Sequence, residues 1–137
     1  MSGPPARGDV VEYPYLWRWQ QRKGEESGRK PRPVCVAIVV EREGKTHLFL
    51  APITSSEPED DRKALEVPAL EAKRGGLRAG RSWIILDEVN YDLFEDSHDY
   101  NPGKPRLGRF SDPFTAKILS ELQSQRARGR LHSVKRV

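Results

Sequence analysis

One cysteine, one methionine and three histidines are all this 137-residue chain holds of several side chains that carry metal, redox and covalent chemistry. A lone thiol, Cys35, excludes an internal disulfide and fits a reducing compartment, so the expected localisation is cytoplasmic. Its place inside the apolar run Val34-Cys35-Val36-Ala37 makes it a packing residue; a catalytic thiol needs an exposed, electropositive setting. No apolar run approaches the roughly 20 residues of a membrane span, so no membrane partner is expected. Residues 1–6 (Met-Ser-Gly-Pro-Pro-Ala) lack the apolar core of a secretory leader and are expected to form a disordered tail. Mean hydropathy is −0.74 and 32% of residues are charged. The core must be modest, within one domain spanning 7–128.

Metal chemistry has little support. Residues 91–106 contain Asp92, Glu95, Asp96, His98 and Asp99, but their spacing matches neither a calcium loop nor a histidine-pair zinc site. That stretch reads as an acidic surface loop, and neither metal nor cofactor is expected. His47 reads as a partly exposed strand residue, and His132 lies in the tail without an evident partner.

The net charge of +4 is unevenly placed. Arg126, Arg128, Arg130, Lys135 and Arg136 supply five positive charges with no acid among them, so the rest of the chain carries a net −1. Residues 129–137 read as a basic, flexible tail.

The stretch from Arg32 to Thr54 is the most informative part of the chain. Two runs rich in β-branched and apolar residues, 32–40 and 46–54, flank the polar break Glu41-Arg42-Glu43-Gly44-Lys45, which signals a β-hairpin. The first run is too apolar for a half-exposed strand, so both its faces should be covered. Antiparallel pairing brings the open ends together and sets Arg32 near Thr54 and Ser55. A guanidinium and hydroxyls on stiff strands suit the grip of a phosphate. The polar loop 20–31 adds Arg22, Lys23, Arg29 and Lys30 just before that mouth, which favours an anion site over a merely solvated loop. Upstream, Arg7 to Tyr13 reads as a strand closed by Pro14. Tyr15-Leu16-Trp17-Arg18-Trp19 reads as its continuation. Trp17 is expected to cap the core; Trp19 is either a core cap or a platform on which bases stack.

Further along, 64–68 reads as a short strand, 70–74 as one helical turn stopped by Gly75-Gly76, and 82–90 as a buried strand. Leu107 to Phe110 reads as a last short strand. Asp112-Pro113 starts a helix over 113–127, with Phe114, Ile118, Leu119 and Leu122 on one face. Short strands with one terminal helix predict a small, strongly bent sheet or barrel capped by that helix.

The ordered set Arg7-Gly8-Asp9-Val10-Val11, Arg32-Pro33-Val34, Ala51-Pro52-Ile53-Thr54-Ser55, the strand 82–90 and Leu107-Gly108-Arg109-Phe110-Ser111 resembles the MazF/PemK (Kid) family of toxin endoribonucleases from toxin–antitoxin pairs. That resemblance implies a mainly β (α+β) fold, a small SH3-like antiparallel β-barrel with a C-terminal helix. It implies a homodimer that cleaves single-stranded RNA, such as mRNA, without metal and is neutralised by an antitoxin protein. By the same resemblance Arg32 and Thr54 are the catalytic pair. Such cleavage needs a proton taken from the 2′-hydroxyl, positive charge on the phosphorane and a proton for the leaving oxygen. Arg29, Lys30, Ser55 and Trp19 are the expected RNA-binding residues.

The chain departs from the family pattern in two places. A Glu-Gln pair often precedes the arginine; here Glu25-Glu26 stands nearest, making Glu25 a further catalytic candidate. Some members carry an arginine and an aspartate two residues apart on the late strand; here Asp87 matches the aspartate, and Ile85 stands at the arginine's place. Asp87 is thus a second additional candidate, with a structural tie as its commoner role. Two rival functions remain. One is a catalytically silent RNA- or protein-binding module on the same fold. The other is an inhibitor of a protein target such as gyrase, as in the similar CcdB fold.

Overall fold

The computed structural model describes residues 3–25 and 30–137. Met1, Ser2 and residues 26–29, which include Glu26 and Arg29, lie outside the described residues. The chain runs β1 (Asp9–Tyr13), α1 (Arg18–Arg22), β2 (Arg32–Arg42), β3 (Lys45–Thr54), β4 (Ala64–Glu66), α2 (Ala69–Arg74), β5 (Trp83–Ile85), β6 (Glu88–Leu93), β7 (Gly108–Arg109), α3 (Asp112–Ala127) and β8 (His132–Lys135). It is mainly β with a C-terminal helix followed by one more strand.

β2 and β3 form the expected hairpin, paired from Val34↔Pro52 to Arg42↔Lys45 with a one-residue register shift between Val36 and Ile38. The turn carries positive φ at Glu43 (55°) and Gly44 (76°), the left-handed pair that a tight hairpin needs. Both faces of β2 are covered, as its composition demands. Cys35 and Ala37 face a cluster that includes Ile118 and Leu122 of α3. Val34 and Val36 face a second cluster with Tyr13, Tyr15, Leu48 and Leu50. Alternate residues pointing to opposite faces thus give the strand two apolar surfaces.

The strand expected over 82–90 is two strands. Both β5 and β6 run antiparallel to β3, with Ile53↔Ile84 in one half and Leu50↔Asn90 in the other. The two registers differ by three residues, and Leu86-Asp87 absorbs the offset. At that break the Leu86 amide donates to the Lys63 carbonyl at 2.8 Å, and the Asp87 carbonyl accepts from the His132 amide at 3.0 Å. The backbone groups freed by the offset are therefore satisfied.

Three expectations are corrected. The eight strands form a sheet with the path β4-β5-β3-β2-β1-β7, with β6 and β8 branching from β3. No pairing among the described residues closes it, so it is not a closed barrel. The strands at the path's ends are three and two residues long, too short to supply a closing ladder. The chain also leaves the sheet after Tyr13. Pro14 has no amide to donate, residues 14–17 belong to no strand or helix, and Gln20 Oε1 accepts from the Trp17 amide at 3.0 Å to open α1. Finally, residues 132–135 are not a flexible tail. β8 pairs in parallel with β6, from Glu88↔His132 to Tyr91↔Lys135, and buries Val134.

α3 matches its expected span within a residue, with Phe114, Ile118 and Leu122 buried. Its cap is Ser111 rather than Asp112: Ser111 Oγ accepts from the Phe114 amide at 3.3 Å and donates to Glu71 Oε2 at 2.6 Å. α2 in turn presses its C-terminus onto β7. A Cβ on Gly108 would stand 2.2 Å from the Arg74 carbonyl oxygen, so only glycine fits there.

Candidate functional site

Arg32 enters β2 opposite Tyr13 of β1. Its guanidinium lies over the Trp17 ring, 5.0 Å from the centroid, a cation–π arrangement. Among the described residues no carboxylate pairs with it and no hydrogen bond engages it. Half-burial lowers its pKa below the usual arginine value, while Tyr15 works in the opposite direction. Burial disfavours the charged form of any base.

The aromatic segment beneath Arg32 is held by β6. Residues 88, 90 and 92 alternate along that strand and project to one face. Glu88 Oε1 accepts from the Tyr15 hydroxyl and from the Arg18 amide, each at 3.0 Å. Asn90 Oδ1 accepts from the Leu16 amide at 2.9 Å, and its Nδ2 donates to the Leu16 carbonyl at 2.8 Å. Asp92 Oδ2 accepts from the Tyr13 hydroxyl at 2.7 Å. All three side chains are buried, and such groups persist inside a protein only when satisfied. Arg136 closes the arrangement. Its Nη1 donates to Asn90 Oδ1 and to the Pro14 carbonyl, both at 2.9 Å, and its Nη2 donates to Asp99 at 2.8 Å. Tyr15 meets Trp17 edge-on at 5.0 Å, which completes the chain of contacts from β6 to Arg32.

Thr54 ends β3 opposite Trp83 of β5. Its Oγ1 accepts from the Ser56 amide at 3.1 Å, a turn-forming bond typical of threonine at a strand end. The last β2–β3 rung is Val34↔Pro52, so Arg32 and Thr54 each lie two residues, about 7 Å of strand, beyond it. They share the mouth of the hairpin, but past that rung Arg32 follows β1 and Thr54 follows β5. Ser55 and Lys30 are exposed near the same strand ends. Arg29 lies outside the described residues.

The other candidates fall elsewhere. Trp19 is 44% exposed, carries Lys23 Nζ 5.3 Å from its ring centroid, and lines a cleft of about 620 Å³ between α1 and the α3–β8 turn. Asp87 lies in the wall of that cleft, both oxygens gripped by Arg62: Nη2 reaches Oδ1 at 2.6 Å and Nε reaches Oδ2 at 2.8 Å. Arg62 also donates to Glu88 Oε2 at 2.9 Å. Hydrogen bonding to Asp87 above all raises its pKa, against the effect of burial. The arrangement makes Asp87 a structural tie for the loop preceding β4. Ile85, at the place of the late-strand arginine, is buried. Glu25 lines a separate cleft of about 650 Å³ that also includes His98, Asp99 and Arg136. Among the described residues no cluster of His, Cys, Asp and Glu is arranged to hold a metal ion.

Sequence reasoning missed Arg62, Glu88 and Asn90. The one available signal was the period-two polar pattern Glu88-x-Asn90-x-Asp92 in an otherwise apolar strand. No protein-family model matches this chain, and no curated protein matches it. No helix among the described residues is long and apolar enough to cross a membrane.

Proposed function

We propose that the chain is a toxin-type endoribonuclease that cleaves single-stranded RNA at the mouth of the β2–β3 hairpin. The observation that carries this reading is Arg32, a half-buried guanidinium without a carboxylate partner among the described residues, held on an aromatic face at a strand entrance. A cation so placed suits an anion that arrives from outside, because planar N–H forks match phosphate oxygens. In cleavage by the 2′-hydroxyl, Arg32 neutralises the crowded phosphorane and can hydrogen-bond the leaving 5′-oxygen. The Thr54 hydroxyl accepts from Ser56 and keeps its own hydrogen to donate to a phosphate oxygen. Asp87 has no part in this chemistry, since Arg62 occupies both its oxygens. The likeness of the ordered motifs to the MazF/PemK family supports the same reading and brings with it an SH3-like ancestry, a homodimer and a protein antitoxin as proposals.

A second reading, an RNA-binding module that does not cut, is favoured by Ile85 and by the engaged Asp87. One experiment separates the two: incubation of mixed single-stranded RNA with the native protein in EDTA, beside Arg32→Ala and Thr54→Ala. Cleavage by the native protein, reduced about 10²–10³-fold in Arg32→Ala, is the expected result. Binding without cleavage, weakened by Arg32→Ala, selects the silent module. Neither binding nor cleavage refutes both and points to a protein target.

A further inference from the structure

We propose that the cleft between α1 and the α3–β8 turn is a phosphate-binding track for single-stranded RNA, separate from Arg32; this rests on the RNA reading above. Two segments far apart in sequence supply its cations. Arg18 and Arg22 stand four residues apart on α1 and therefore share one face. Arg128 and Arg130 flank Gly129, whose φ of +69° reverses the chain between α3 and β8. The Arg130 amide donates to the Gln125 carbonyl at 2.8 Å, and the His132 amide donates to the Asp87 carbonyl at 3.0 Å. The turn is thus fastened on both sides, and its arginines are presented from a fixed backbone.

All four arginines line the cleft, and none has an ion pair among the described residues. The cleft also holds a fifth arginine, Arg62, but that charge is spent on Asp87 and Glu88. Lys63 pairs with Glu121, and Asp61 in the lining offsets one charge, so the net positive field comes from the four unpaired arginines. Helix electrostatics account for a cation at the end of α3, which explains Arg128 alone. They do not explain why Arg18 and Arg22 meet it across a cleft of about 620 Å³, a volume suited to a nucleotide-sized group. Cations distributed along two walls fit a chain of phosphates better than one compact anion. Arginine rather than lysine dominates, which favours the forked grip of phosphate. The indole of Trp19 in the same wall adds an aromatic surface of the kind that single-stranded nucleic acids use.

The test measures binding of a labelled oligouridylate against salt concentration. The proteins compared are the native chain, Arg18→Gln/Arg22→Gln, Arg128→Gln/Arg130→Gln, and the matching double lysine variants. Cleavage of a trinucleotide that reaches only the hairpin mouth is followed in parallel. Each glutamine pair is expected to weaken binding about tenfold at low salt and to reduce the log–log salt slope by about 0.7 per lost contact. The lysine pairs should keep the slope, and trinucleotide cleavage should stay at the native rate in every variant. Weaker binding in the glutamine pairs without native cleavage upholds the track and removes the nuclease reading. Native-like binding and slope in both glutamine pairs overturn the track and leave the nuclease reading standing. A native protein that binds polyglutamate but not oligouridylate overturns both.

Discussion

Asn90→Ala is the sharpest test of how the aromatic segment under Arg32 is held. Asn90 is fully buried and bonds to both backbone groups of Leu16 and to Arg136 Nη1. Truncation to alanine leaves the Leu16 amide and carbonyl without their partners, while Arg136 Nη1 keeps the Pro14 carbonyl. Each orphaned buried group costs about 1–3 kcal/mol, so the loss should be about 3–5 kcal/mol. That is a large share of the roughly 5–15 kcal/mol available to a domain. Urea unfolding followed by tryptophan fluorescence reads it directly: the midpoint should fall with little change in slope. Near-ultraviolet dichroism at low urea should also weaken, because Tyr15 and Trp17 lose their fixed environment. Asn90→Asp keeps the acceptor for Leu16 and Arg136 but not the donor, and should cost less than the alanine variant. A loss below about 1 kcal/mol in Asn90→Ala, with the dichroism intact, would show that these bonds do not position the segment.

Three further outcomes follow from the fold. Partial burial tends to raise the Glu71 pKa, but hydrogen bonds from Ser111 and Arg74 outweigh it and hold the carboxyl below its usual value of 4.5. A depressed carboxylate stabilises the fold above the unfolded pKa and loses that contribution as pH falls through the folded one. Glu71→Gln should therefore be less stable than native at neutral pH, and thermal melts should show the difference closing as the buffer falls below about 4.5. Gly108→Ala drives a methyl into the Arg74 carbonyl and the Gly75 backbone and should cost about 3 kcal/mol or more; Gly103→Ala, whose Cβ meets only Asn101 Oδ1 at 3.4 Å, should stay within about 0.5 kcal/mol. Cys35 is fully buried, and that burial pushes its thiol up to about 12. A thiol reagent should therefore label it only as fast as the protein unfolds, and rapid labelling of the native state would contradict its packing role.

Local patterns made much of the architecture legible. The hairpin was visible because apolar runs flank a glycine-containing break, and α3 because Phe114, Ile118 and Leu122 recur at helical spacing. Long-range register was not visible. Nothing local distinguishes one strand over 82–90 from two strands offset by three residues, since the offset is set by which residues of β3 each half meets. The C-terminal segment misled because charge dominates its composition. Leu131, Val134 and Val137 are its only large apolar residues, yet Val134 is buried in β8 and Arg136 hydrogen-bonds to Asn90, Pro14 and Asp99. A basic side chain fastened inside a domain looks, in sequence, like one dissolved in water.

The same limit separates the two halves of the candidate site. Arg32 and Thr54 could be placed at one hairpin mouth because pairing alone determines it. That Arg32 has no carboxylate partner among the described residues could not be read from any local window. The acids that hold the aromatic segment and its surroundings have partners of their own: Glu88 in Tyr15, Arg18 and Arg62; Asp92 in Tyr13 and Ser97; Asp87 in Arg62; Asp99 in Arg136. Those commitments hold the aromatic segment in place, and the segment supplies Trp17, the neutral face on which Arg32 rests. A carboxylate in place of that face would raise the guanidinium's pKa and compete with an incoming phosphate. The buried polar positions of β6 thus act on the site at one remove, by fixing the carrier of Trp17.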